Sequence, residues 1–142
     1  MNKLPRHPSR RDFLVSTSTV AIGALGGCAT PDSSVKSGFI DAHVHVWTPD
    51  TDAFPLAAGY QKSAMQPPSF TPEELLALAR PNGVTRVVLI QMSFYRFDNR
   101  YMLDAMRRFP GVFAGVGIVD DKAARPQDAM RDLAKQGVRG FR

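Results

Sequence analysis

From residue 39 onward the chain alternates between short, strongly apolar runs and longer segments whose apolar positions recur at helical spacing. The first run is "FIDAHVHVW", Phe39 to Trp47. Read as a strand, it places Asp41, His43, His45 and Trp47 on one face and Ile40, Ala42, Val44 and Val46 on the other, so that one face is apolar and the other can carry chemistry. Residues 48–70 are rich in Pro, Asp, Ala, Gly and Gln and lack periodicity, which predicts a long loop of the kind that often carries function. Thr71-Pro72-Glu73-Glu74 then opens a helix: Thr71 can cap, Pro72 suits the first helical position, and Glu74 completes a capping box. That helix stops near Pro81-Asn82-Gly83. "TRVVLIQM", Thr85 to Met92, is a nearly unbroken apolar run with many β-branched residues, as expected of a parallel strand buried on both faces. Asp98 is placed to cap a second helix through "NRYMLDAMRRF", whose Tyr101, Leu103, Ala105 and Met106 lie near one face. "GVFAGVGIVD" predicts a third strand, Arg125 to Gln136 a third helix stopped at Gly137, and "VRGFR" the opening of a fourth strand.

Alternating strands and helices with buried strands imply a parallel sheet, either open and doubly wound or closed as a (β/α)8 barrel. No Gly-x-Gly-x-x-Gly joins the first strand to the first helix, so a dinucleotide-binding unit is excluded. A barrel takes roughly 250 residues. The expected fold class is α/β, and on the barrel alternative residues 39–142 are a truncated barrel, the N-terminal half of a (β/α)8 TIM barrel holding four of its eight parallel strands.

Charge changes the picture only at the N-terminus. The 142 residues carry 18 Lys and Arg against 13 Asp and Glu, a formal +5. Lys3, Arg6, Arg10 and Arg11 fall within residues 1–28 against Asp12 alone, and the remainder is close to balanced. No basic run interleaved with aromatics is present, which argues against nucleic acid as a partner. The excess belongs instead to "SRRDFLVSTSTVAIGALGGCATP": a basic start, an apolar run from Phe13 to Leu25 and small residues after it, the grammar of a secretory signal. The run is shorter than the roughly 20 apolar residues that span a bilayer. Ser9-Arg10-Arg11-Asp12-Phe13-Leu14 resembles the twin-arginine motif, which implies the twin-arginine export machinery as a partner and the periplasm or cell envelope as destination. Leu25-Gly26-Gly27-Cys28 resembles a lipobox, with Cys28 as the lipid anchor; plain cleavage after Ala29 is the alternative. Cys28 is the only cysteine, so no intrachain disulfide can form. The expected organisation is a signal over 1–28, a small polar tether over 29–38 and the domain over 39–142.

Imidazoles at alternate positions of a strand can ligate zinc, polarise a carbonyl or shuttle protons, and an exposed polar strand face fits the same pattern. Four blocks narrow this. "GFIDAHVHVW", "QMSFYRFDNRYMLDAM", "GVGIVD" and "GVRGFR" together resemble the amidohydrolase-related branch of the amidohydrolase superfamily, in particular members similar to 2-pyrone-4,6-dicarboxylate lactonase. The resemblance covers nearly all of Gly38 to Arg142. It implies a hydrolase of a small-molecule lactone or related carbonyl substrate, with His43 and His45 at the end of the first strand as catalytic residues and ligands of a divalent metal, zinc most often. Further ligands would come from later strands. Some lactonases of this branch work without metal, the histidines polarising the carbonyl directly. The resemblance also makes Ser93 a substrate-contacting hydroxyl, against a loop-capping role, and makes Arg142 the grip on a substrate carboxylate, which its planar guanidinium suits. Tyr60, in the long loop, is a candidate for closing over a ligand. Where the family pattern has Gly between the residues matching Tyr95 and Phe97, this chain has Arg96, a departure that bears on loop shape and substrate. Alternatives on the same resemblance are a metal-dependent decarboxylase or amidohydrolase, or an inactive truncated lipoprotein.

Overall fold

The computed structural model describes residues 38–142; the twin-arginine motif, Cys28 and all of the tether except Gly38 lie outside the described residues. The described chain runs β1 (Phe39–Val44), α1 (Pro72–Ala79), β2 (Val84–Ile90), α2 (Arg100–Arg108), β3 (Phe113–Gly117), α3 (Pro126–Lys135) and β4 (Val138–Phe141). The four strands form one parallel sheet in chain order, β1-β2-β3-β4. All four C-terminal ends therefore lie along one edge.

Local chemistry accounts for most of the boundaries. Thr71 and Glu74 close the capping box reciprocally, and Pro72 occupies the first turn of α1. Gly83 and Gly137, at φ 76° and 97°, take the left-handed conformation that lets the chain leave a helix and enter the next strand. The core lies between sheet and helices: Val87 and Leu89 of β2, Phe113 of β3, Val138 of β4, Leu75 and Leu76 of α1, and Tyr101, Met102 and Ala105 of α2. Burial pushes the phenols of Tyr95 and Tyr101 above their ordinary range. Among the described residues no helix is long and apolar enough to cross a membrane.

Two expectations are corrected. The first strand ends at Val44 rather than running to Trp47, because the register shifts between Asp41 and Val44, and Trp47 instead pairs with Phe70 in an antiparallel bridge. The start of its apolar face is uncovered among the described residues, Ile40 being 52% exposed and Ala42 exposed too, while Val46 beyond the strand is buried; Phe39, on the opposite face, is 72% exposed. Helix α2 begins at Arg100 with Asn99 at the cap position; Asp98 stands one residue earlier, its carboxylate accepting the Arg100 N–H at 3.1 Å. The segment 48–70 is a loop as expected, and a packed one, with a short 3-10 turn at Lys62–Ala64 and Met65 fully buried.

Candidate functional site

The sheet edge gathers one contribution from each strand: His43 and His45 from the end of β1, Ser93 just past β2, Asp120 and Asp121 past β3, and Arg142 at the end of β4. This is the edge at which parallel α/β folds place their chemistry. His43 Nε2 and His45 Nε2 stand 3.3 Å apart, the rings nearly perpendicular. His45 Nδ1 is 2.9 Å from the carbonyl oxygen of Ile90, the last residue of β2. A carbonyl only accepts, so Nδ1 carries the proton, and a neutral His45 presents the lone pair of Nε2 toward His43. Such a carbonyl behind an imidazole is the usual support for a metal-ligating histidine.

The pair suits a divalent cation. Two nitrogens each about 2.0–2.1 Å from a tetrahedral zinc stand roughly 3.4 Å apart, close to the separation found. The two imidazoles alone do not complete a ligand set: among the described residues no group of three or more His, Cys, Asp or Glu side chains converges on one point. Asp41 is turned to its own strand, its carboxylate accepting the His43 backbone N–H at 3.1 Å.

Ser93, Tyr60 and Arg142, far apart in sequence, meet in one open pocket of about 450 Å³, which Arg96, Phe97, Ile118, Val119 and Asp121 complete. The histidines are not in its lining; they share the sheet edge with it, His45 tied to Ile90, three residues before Ser93. Tyr60 is held by the edge of Phe94, 5.7 Å between centroids, and the Ala57 N–H donates to the Phe94 carbonyl at 2.8 Å, so the long loop is anchored to the segment that carries Ser93. Arg142 is positioned by its backbone N–H, which donates to Gly117 O at 3.0 Å.

The wall of this pocket rests on residues that the hydrophobic pattern did not single out. The Asp98 N–H donates to Tyr95 O at 2.9 Å, closing a tight turn with Arg96 at its first central position, φ 45° and ψ −114°. These are type II′ angles, where glycine is normally found, and an L side chain there costs about 1–3 kcal/mol. Gln91, 1% exposed, holds the turn by donating from Nε2 to Asp98 O at 2.7 Å and Arg96 O at 3.3 Å. Asn99, 6% exposed, donates to Phe97 O and Ile118 O at 2.9 and 2.8 Å and accepts the Ile118 N–H at 3.0 Å, fastening this loop to the end of β3. Arg100 forks onto Asp98 and holds its carboxyl below the usual range. The one sequence signal was a Gln and an Asn, each next to apolar or aromatic residues at a strand or helix end, where a buried amide must find backbone partners.

A parallel βα sheet with paired imidazoles on its C-terminal edge makes this an α/β protein with its chemistry at the strand ends, and comparison with known proteins identifies which kind. An amidohydrolase family model matches residues 40–142, and the chain belongs to that family. Over 112 residues it is 32% identical to a Comamonas testosteroni protein named 2-pyrone-4,6-dicarboxylate hydrolase, covering 79% of this chain and 35% of that one. A Pseudomonas putida structure described as a 2-pyrone-4,6-dicarboxylic acid hydrolase superposes with TM-score 0.57 at 29% identity, covering 73% of this chain and 36% of that one. An Agrobacterium tumefaciens structure matches with TM-score 0.60 at 24% identity over 73% of this chain and 36% of that one, a likeness of fold. The chain spans about a third of the length of these relatives.

Proposed function

We propose that the full-length protein hydrolyses a carboxylated lactone at the sheet edge that His43 and His45 mark. The observation that carries this is the orientation of the pair: the Ile90 carbonyl fixes the His45 tautomer, and both Nε2 atoms face each other beside a pocket with an arginine at its wall. In this reading β1 to β4 are consecutive staves of a (β/α)8 barrel, and the remaining catalytic groups come from further strands, as the partial coverage of longer relatives supports. His43 and His45 would hold a divalent cation, zinc by ligand type, which when bound supplies Lewis acidity toward a carbonyl and an activated water. In a metal-free route the His43 Nε2–H would polarise the carbonyl once that oxygen replaces His45 Nε2 as its acceptor. Arg142 grips a carboxylate through its fork, Ser93 offers a hydroxyl to the bound ring, and Tyr60 covers it. Water adds to the lactone carbonyl, the ring C–O bond breaks, and the departing oxygen takes a proton, leaving an acid in place of the ester.

The test is the purified full-length protein with 2-pyrone-4,6-dicarboxylate, following loss of ring absorbance together with acid release. The expected result is turnover with acid release and no carbon dioxide. Carbon dioxide release instead would identify a decarboxylase, and absence of turnover on this and simpler lactones would end the hydrolase reading.

We propose further that the protein is exported through the twin-arginine route and anchored at Cys28, on the strength of Ser9–Leu14 and Leu25–Cys28 alone. Fractionation of an Arg10→Lys, Arg11→Lys double variant should find the precursor in the cytoplasm; export at the normal level refutes it.

A further inference from the structure

The basic side chains of α2 and α3 are mostly neutralised. Arg100, Arg107, Arg108, Arg125, Arg131 and Lys135 each reach an aspartate or glutamate. Arg96 does not. Among the described residues its guanidinium has no acidic partner within ion-pair distance; it lies 5.5 Å over the ring of Phe97 and lines the pocket that Ser93 and Arg142 share. Asp98, two residues on, is occupied by Arg100.

The backbone makes this placement costly. Among the described residues Arg96 alone, glycines aside, has a positive φ. The turn does not need its side chain, since Gln91 holds the turn through backbone carbonyls, which any residue would offer, and glycine would sit there without strain. A long charged side chain kept in a conformation that disfavours it, facing a cavity with no counter-ion of its own, fits a group held for a ligand. The pocket then presents two guanidiniums against the single carboxylate of Asp121. Arg96 stands in the loop that follows β2 and Arg142 at the end of β4, and both line the one pocket. Two long cationic side chains in one pocket can each take a carboxylate of one small ring.

We propose that Arg96 binds a second carboxylate of the substrate, remote from the one on Arg142, and so selects dianionic over monoanionic lactones. The inference rests on the lactone-hydrolase reading for its substrate, but its binding test does not depend on turnover.

The experiment compares 2-pyrone-4,6-dicarboxylate with its 4- and 6-monocarboxylate analogues on the full-length protein and on Arg96→Gly and Arg96→Lys variants. Loss of a charge-assisted contact at a partly exposed site is worth about a tenfold change. Arg96→Gly should therefore lower the preference for the dicarboxylate over the better monocarboxylate by about tenfold. Its melting midpoint should rise, because the turn is relieved, which separates lost recognition from lost folding. Arg96→Lys should fall between, keeping charge without the fork. Titration calorimetry with the dicarboxylate reads the same contact directly. If the wild-type protein binds the dicarboxylate without hydrolysing it, and Arg96→Gly binds it about tenfold more weakly, Arg96 has the proposed role and the hydrolase reading fails. If lactones are turned over and Arg96→Gly discriminates as the wild type does, the hydrolase reading stands and this inference is overturned. It is equally overturned if the wild type neither binds nor hydrolyses the dicarboxylate.

Discussion

His45→Asn in the full-length protein is expected to lower kcat/KM for a carboxylated lactone by about a hundred- to a thousandfold, the usual worth of one contributor to stabilising the charge that develops at the reacting carbonyl, while the protein melts close to the wild-type temperature. The choice of asparagine follows from the geometry. Its amide N–H can replace the Nδ1–H that reaches Ile90 O, so the strand end keeps its partner, and only the Nε2 lone pair is lost. His45→Ala loses both and should in addition be less stable by about 1 kcal/mol, the net worth of one such hydrogen bond. His43→Ala should match the activity loss without the stability loss, since its ring contact runs to His45 alone. The double variant should be little worse than either single one if the pair acts as a unit. Near-normal turnover by His45→Asn in a folded protein would show that Nε2 takes no part in the chemistry.

The largest effect on folding is expected at Asn99. Its three short hydrogen bonds tie Phe97 and both backbone groups of Ile118, so the α2 N-terminus and the end of β3 are stitched by one side chain. Asn99→Asp keeps the shape but turns two donated bonds into a carboxylate oxygen facing two carbonyls. The site is nearly closed to water, and the cost should be about 3 kcal/mol or more, from two lost bonds plus burial of an unpaired charge. Asn99→Leu, which removes the charge penalty, should cost less than Asn99→Asp although it loses all three bonds. Urea denaturation of both variants checks the order, and a leucine variant less stable than the aspartate variant would place the energy in packing instead.

The element order could be read before any coordinates because it depends on short-range chemistry. The Thr71–Glu74 capping box, the helix-ending Gly137 and the β-branched run of β2 each specify their own conformation. The alternation of His43 and His45 likewise put both imidazoles on one side. Two things were out of reach. Where β1 stops is decided by its register against β2 and by the bridge from Trp47 to Phe70, both contacts between residues distant in sequence. The fastening of the pocket wall depends on amides whose partners are backbone groups, and a backbone carbonyl has no letter in the sequence. Gln91 and Asn99 therefore read as ordinary polar residues, and Asp98 took the cap assignment that Asn99 holds by position. Arg96 stood out only as a departure from the family pattern; that its backbone is strained is visible only in three dimensions.

The Trp47–Phe70 bridge has a consequence for how such a protein can change over generations. Two hydrogen bonds, Trp47 N–H to Phe70 O at 2.9 Å and Phe70 N–H to Trp47 O at 3.0 Å, pinch the chain two residues after His45 and immediately before the capping residue Thr71. Everything between them is a closed ring hung on a fixed neck. Doubling the length of such a ring costs only about 0.6 kcal/mol in closure entropy. A lineage can therefore lengthen the exposed stretch 61–64, next to Tyr60, at little cost in trying new substrates, while the neck keeps the imidazoles and the first helix where they are and the Phe94 contacts keep the rest of the loop.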